Sequence, residues 1–203
     1  MTTHVELYLE EPSAEAALAT LLPRILGPDV TFRLHPFNGK ADLLRKLPSR
    51  LKGYSRWLPP DWRIVVLVDE DREECEELKG RLLDAIKGAG LKPASVSRPD
   101  GHVLPRIAVE ELEAWFLGDV PALTAAFPGV PPSLASRERF RDPDAVTGGT
   151  WEALARVLKR AGHFVGGYPK IEAARRVAAE MDPDRNRSKS FRVFRDGLRS
   201  IAG

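Results

Sequence analysis

The feature that most constrains this fold is an unbroken apolar run, Ile64-Val65-Val66-Leu67-Val68, which leads directly into Asp69-Glu70-Asp71. Apolar residues that do not alternate with polar ones are typical of a strand buried on both faces of a parallel sheet. In open α/β sheets, ligands bind at the carboxyl ends of the strands. Asp69 and Asp71 therefore follow the strand where a binding site is expected, and in extended backbone they point to the same side.

Two explanations of these aspartates stay open at this point. Convergent carboxylates suit a hard divalent cation such as Mg²⁺, which prefers oxygen ligands. Alternatively, Asp71 and Glu74 have the spacing of an acidic capping box, and acids are favoured in the first turn of any helix.

Acids follow two more predicted strands. Glu10 and Glu11 come at the end of a strand predicted over Val5–Glu10, and Glu110 and Glu113 follow one predicted over Val103–Val109. Each cluster alone has a capping explanation. Their joint occurrence favours a cation site, because like charges gathered at one sheet edge repel each other unless a cation offsets them.

Basic residues open several of the predicted helices. A strand predicted over Val30–Leu34 is followed by Gly39-Lys40 at a helix start, where a phosphate can bind, although the spacing is not that of a Walker motif. Ser188 is also an ordinary helix N-cap, so a purely structural role stays open for it. The candidate phosphate or nucleic-acid contacts are Lys40, Lys170, Arg187, Ser188 and Lys189.

The predicted fold class is α/β, with a mostly parallel sheet flanked by helices and a helical extension at the C-terminus. A further short strand is predicted over Ala94–Ser97, and helices are predicted over Trp151–Ala161, Lys170–Met181 and Ser188–Ile201. We predict an α/β domain over residues 1–120 and a helical subdomain, packed on it, over 121–203. Residues 151–203 carry 12 Lys or Arg against 6 Asp or Glu, which favours an anionic partner for this part.

Composition excludes several classes of protein. The 203 residues are 43% hydrophobic and 30% charged, which suits a globular core. No apolar stretch approaches the roughly 20 residues of a membrane span, and the N-terminus lacks the pattern of a signal sequence, so we expect a cytoplasmic protein without membrane contact. The single cysteine, Cys75, excludes an internal disulfide framework and a cysteine-based zinc site.

The order of these motifs resembles a known fold. A strand, a glutamate, a helix and then an apolar strand ending in Asp-x-Asp resembles the Toprim fold of topoisomerases, bacterial primases and the nuclease domains of overcoming-lysogenization-defect proteins. Nearly the whole chain resembles the bacterial domain-of-unknown-function family 4276 in an ordered set of motifs: Leu9-Glu10-Glu11-Pro12-Ser13-Ala14-Glu15, Gly39-Lys40, Val68-Asp69-Glu70-Asp71, Glu111-Leu112-Glu113-Ala114-Trp115 and Ser188-Lys189-Ser190-Phe191.

The resemblance implies roles for individual residues. Glu10 matches the Toprim glutamate, Asp69 and Asp71 match the metal-binding pair, and Glu113 corresponds to a further metal-site acid. Toprim domains usually have Gly directly after the first Glu, whereas this chain has Glu11, so Glu11 is a second candidate for the catalytic position. The candidate catalytic residues are thus Glu10, Glu11 and Lys40.

These roles predict an enzyme that cleaves phosphodiester bonds in DNA or RNA with Mg²⁺ or Mn²⁺ as cofactor. The resemblance also implies a candidate role in antiphage defence and an AAA/ABC-type ATPase as partner. The alternative is a non-catalytic Toprim-like module that binds or regulates such an ATPase. A phosphoacceptor receiver domain ranks lowest, because it needs a lysine after its last strand, where this chain has the Glu110 region.

Overall fold

The computed structural model describes residues 1–71, 73–146 and 148–203, and within them four strands form one sheet. The strands are β1 (His4–Leu9), β2 (Thr31–Pro36), β3 (Trp62–Asp69) and β4 (Val103–Ala108). Their spatial order is β2-β1-β3-β4, and every neighbouring pair is parallel. The predicted α/β class with a parallel sheet is therefore confirmed.

The two inner strands are the most apolar ones. In β3 the run predicted from the sequence is buried from Ile64 to Val68, and β1 places Leu7 and Leu9 beside Val65 and Leu67. The strand predicted over Ala94–Ser97 is wrong. This segment makes isolated bridges only, because Ser95 and Arg98 bond to each other and close a turn instead of extending the sheet.

Eight α-helices lie within the described residues, and those predicted near the C-terminus are confirmed within two residues at each end. Three short 3₁₀ turns occupy Pro132–Ser136, Glu138–Phe140 and Pro143–Ala145. The α-helices are α1 (Pro12–Leu26), α2 (Lys40–Tyr54), α3 (Cys75–Gly88), α4 (Glu113–Leu117), α5 (Val120–Ala126), α6 (Thr150–Arg160), α7 (Lys170–Glu180) and α8 (Lys189–Ala202).

The sheet has one hydrophobic cluster on each face, because side chains alternate along each strand. Val5, Leu7 and Leu9 of β1 join the larger cluster, which includes α1 and the C-terminal helices, and Tyr8 joins the smaller cluster with α2 and α3. Helix α7 packs on α1, and α8 packs on β4. The C-terminal helices therefore share a core with the sheet, while the boundary at residue 120 stays a prediction. No helix within the described ranges is long and apolar enough to cross a membrane.

Candidate carboxylate site

The acids that follow β1, β3 and β4 meet at the carboxyl edge of the sheet, because these three strands are neighbours. The backbone N–H of Asp69 donates to Glu10 Oε2 over 3.1 Å, which joins the first cluster to the second. The N–H of Asp71 donates to the carbonyl oxygen of Glu110 over 2.8 Å, which joins the second cluster to the third. The parallel topology thus brings residues far apart in sequence into one site.

Helix capping does not explain these acids. The N-cap residues of α1, α3 and α4 are Glu11, Glu74 and Leu112, and within the described residues none of their side chains accepts a backbone N–H of its helix. The Glu11 carboxylate accepts from the Ser13 hydroxyl instead. Helix α3 begins only at Cys75, so Asp71 lies outside its first turn. The capping box predicted for Asp71 and Glu74 is therefore wrong.

The backbone turns sharply between Asp69 and Asp71. Strand β3 ends at Asp69, and Asp71 adopts a φ of 54°, in the left-handed region. Glu110, its backbone partner, has a φ of 60°. The prediction that Asp69 and Asp71 point to the same side in extended backbone is therefore wrong. Two strained non-glycine residues bonded to each other are typical of a functional site, where the surrounding structure maintains the strain.

Asp71 belongs to an outer half of the site that is organised by Lys40. Lys40 Nζ lies 2.7 Å from Asp71 Oδ2 and 3.4 Å from Glu73 Oε1, and it donates to the carbonyl oxygen of Glu70 over 2.9 Å. Burial by itself lowers the pKa of Lys40, but the hydrogen bond and the charge of Asp71 raise it overall. Lys40 is therefore held charged against the acids that follow β3.

Asp69 belongs to an inner half of the site, together with Glu11, Glu113 and Lys170. Burial raises the pKa of Asp69 well above its usual range, and the negative charges of Glu10 and Glu113 raise it further. Burial also raises the pKa of Glu10, although the bond from the Asp69 N–H opposes this. Lys170 Nζ, 3.7 Å from Glu11 Oε1, is the cation of this half.

Glu113 is the most deeply buried of these acids, with only 1% of its surface exposed. Its Oε1 accepts a hydrogen bond of 3.3 Å from the Tyr168 hydroxyl, and its Oε2 has no partner among the described residues. Burial raises the pKa of Glu113 to about 7, and the charge of Lys170 opposes that rise. A buried carboxylate oxygen without a donor is costly, and a cation is the kind of group that offsets such a cost.

Sequence reasoning missed Tyr168 and the role of Glu111. The Tyr168 pKa is raised by burial and by the nearby Glu113 charge. Glu111 Oε2 accepts from the Thr150 hydroxyl over 2.7 Å and from the Trp151 N–H over 2.9 Å, so it anchors the start of α6 to the site. The sequence gives one signal of these contacts. A Gly-Gly pair stands directly before Thr150, at 148–149, and another directly before Tyr168, at 166–167.

The predicted phosphate contacts divide into two groups. Lys40 and Lys170 bond to the strand-end acids, whereas within the described parts of the chain Arg187, Ser188 and Lys189 do not. The guanidinium of Arg187 donates to backbone carbonyl oxygens at 140 and 141. Ser188 is the N-cap of α8, as the structural alternative proposed, and Lys189 is exposed.

Comparison with known proteins assigns the chain to a family. The family model described as "Domain of unknown function (DUF4276)" matches residues 9–199. The chain belongs to this family. No curated protein and no solved structure matches it. The match to the DUF4276 family spans all three acid clusters together with Lys40 and Lys170.

The donor set of this DUF4276 site fits a hard divalent cation in its chemistry. All the acids offer carboxylate oxygens, and one of these, Glu113 Oε2, is buried without a donor. The described side chains are not arranged for a metal ion, however. Residues 1–71, 73–146 and 148–203 contain no group of three or more His, Cys, Asp or Glu that could hold one. Asp71 and Glu11 face lysines instead, so metal binding requires side-chain movement.

Proposed function

We propose that the chain is a metal-dependent enzyme that hydrolyses phosphodiester bonds in DNA or RNA. The observation that carries this proposal is the meeting of acids from three parallel strands at one sheet edge, with Glu10 bonded to the Asp69 N–H. The resemblance of the motif order to Toprim nucleases supports the same chemistry.

In this proposal, Asp69 and Glu113 are the residues that hold Mg²⁺ or Mn²⁺, with Asp71 available once it leaves Lys40. The ion would polarise the phosphodiester and lower the pKa of a bound water. Glu10 or Glu11 accepts the proton of the attacking water. Lys40 and Lys170, now bonded to carboxylates, exchange these partners for phosphate oxygens when the substrate arrives.

The test is cleavage of labelled single-stranded DNA, duplex DNA and RNA by purified protein in Mg²⁺, Mn²⁺ or EDTA. We expect metal-dependent cleavage, and a loss of at least about a hundredfold in Asp69→Asn and Glu10→Gln. Asp84→Asn, on the exposed side of α3, is the matched control that removes an acid away from the site. Cleavage by Asp69→Asn at the rate of the unmodified protein would overturn the proposal.

A second candidate is a non-catalytic Toprim-like module that binds or regulates a partner ATPase. The observation in its favour is that Lys40 and Lys170 already neutralise acids of both halves. Calorimetric titration separates the two candidates. Mg²⁺ binding that is lost in Asp69→Asn favours the enzyme, whereas no heat of binding and no effect of EDTA on unfolding favour the module. The role in antiphage defence stays a prediction.

A further inference from the structure

A groove lies beside β4, the last strand of the sheet, on the side that does not pair with β3. The edge of β4, helix α3 and helix α8 enclose a cavity of about 690 Å³. Apolar side chains line much of it, including Leu82, Ile107 and Val193, and Val193 is 47% exposed. Pro105 lacks a backbone N–H, which disfavours the addition of another strand at this edge. The volume instead falls in the usual range of small-molecule sites.

Arg106 is a charged residue that lines this groove, and within residues 1–71, 73–146 and 148–203 it pairs with no acid. Its guanidinium donates to the carbonyl oxygens of Val193 over 3.1 Å and of Pro105 over 2.8 Å. No carboxylate of the described residues forms an ion pair with it, and burial lowers its pKa to about 10. A half-buried cation held only by neutral groups is an incomplete arrangement, because its charge is not compensated.

The three acids that line the groove are already engaged. Asp144 accepts from the Ser188 hydroxyl over 2.7 Å and from the Ser190 N–H over 2.9 Å. Asp142 accepts from the Asp144 N–H over 3.0 Å, and Glu76 lies 3.5 Å from Lys79. None of these carboxylates therefore compensates Arg106.

Two more cations stand at the rim of the groove. The side chains of Arg98 and Lys189 are exposed there, and among the described residues neither forms an ion pair. The groove thus combines an apolar floor with three uncompensated positive charges. Its complement is a molecule with an apolar body and a negative group.

We propose that this groove binds a small organic anion whose apolar body packs against β4 and whose acidic group bonds to Arg106. Arg98 and Lys189 attract the ligand and contact it at the rim. This site is separate from the carboxylate site and does not depend on the proposed nuclease activity.

Two fluorescent probes test both parts of this proposal with the intact chain. The first, 8-anilinonaphthalene-1-sulfonate, has an apolar body and an anionic group, and the second, N-phenyl-1-naphthylamine, has the same body without the sulfonate. We expect the unmodified protein to bind the anionic probe more tightly. Arg106→Gln should weaken binding of the anionic probe about tenfold and leave the neutral probe unaffected, since a charge-assisted hydrogen bond contributes about this factor.

A substitution that fills the groove tests the apolar floor. Val193→Trp should weaken binding of both probes, because its side chain occupies the cavity. Arg175→Gln, on the exposed surface of α7, removes a positive charge outside the groove and should bind both probes as the unmodified protein does. If Arg106→Gln does not fold, the double variant Arg98→Gln/Lys189→Gln replaces it, since both side chains are exposed.

Two results would overturn the proposal. One is that Arg106→Gln binds the anionic probe as tightly as Arg175→Gln does. The same holds for the double variant where it replaces Arg106→Gln. The other is unchanged binding of both probes in Val193→Trp. Neither result bears on metal-dependent cleavage, so the groove and the carboxylate site are judged independently.

Discussion

Replacing Glu113 by Gln should change the pH dependence of folding stability. Glu113 is 1% exposed, and burial raises its pKa from 4.5 to about 7. Gln keeps the size of the side chain and keeps an oxygen for the Tyr168 hydroxyl, but it carries no charge at any pH. The comparison therefore isolates the cost of an ionised carboxylate at this position.

The sign follows from proton binding. Because the pKa of Glu113 is higher in the folded state, the folded protein binds more protons between pH 4.5 and 7, and its stability falls as the pH rises through that window. A shift from 4.5 to about 7, at 1.36 kcal/mol per pKa unit, corresponds to about 3 kcal/mol above pH 7. About 2 to 3 kcal/mol of this cost develops between pH 5 and pH 8.

The measurement is urea-induced unfolding of both proteins at pH 5 and pH 8 in EDTA. Glu113→Gln should gain about 2 to 3 kcal/mol of unfolding free energy relative to the unmodified protein between these two pH values. Asp69 acts in the same direction, because the Glu113 charge raises its pKa and that contribution disappears in the variant.

One control variant and one possible outcome make the prediction refutable. Glu180→Gln removes a solvent-exposed carboxylate at the end of α7 and should leave the pH dependence of the unfolding free energy unchanged. A stability difference between Glu113→Gln and the unmodified protein that is equal at pH 5 and pH 8, within about 0.5 kcal/mol, would refute the reasoning. Glu113 would then ionise without a burial cost.

Three further predictions concern the packing of the chain. Asp119→Ala should lower the free energy of unfolding by about 2 to 4 kcal/mol in urea titrations, because the fully buried carboxylate caps α5 and its loss leaves the N–H groups of Ala122 and Asp182 without an acceptor. Gly197→Ala should change the free energy of unfolding by no more than about 1 kcal/mol in thermal unfolding, since its Cβ would lie 2.2 Å from Arg106 Nη2, the end of a flexible side chain that can shift, and alanine favours the helix. Gly80→Ala in α3, with nothing within 4 Å, should instead raise stability by about 1 kcal/mol.

The sequence was sufficient to predict the sheet and the edge where the acids meet. An apolar run without alternation identified β3, and acids after three such strands must share one edge once the strands are parallel and adjacent. The C-terminal helices were predicted from apolar residues at helical spacing, and Phe191, Phe194 and Leu198 of α8 are buried as expected.

The details of the site depended on tertiary structure that no local pattern encodes. The left-handed backbone of Asp71 follows from its bond to Glu110, which is remote in sequence. Tyr168 and Lys170 reach the acids because α7 packs on α1. Residues 94–97 alternate apolar and polar side chains as a short strand does, but backbone and side-chain bonds between Ser95 and Arg98 close the segment into a turn.

The energetics of Glu113 argue against a purely structural account of the site. An ionised Glu113 costs about 3 kcal/mol above pH 7, a large part of the 5 to 15 kcal/mol that usually stabilises a domain. Capping does not offset this cost, since Glu113 lies in a helix of five residues and its Oε2 has no donor among the described residues. A bound cation does offset it, because it pairs the oxygen and lowers the pKa at once. Mg²⁺ should therefore stabilise the unmodified protein at pH 8 more than Glu113→Gln.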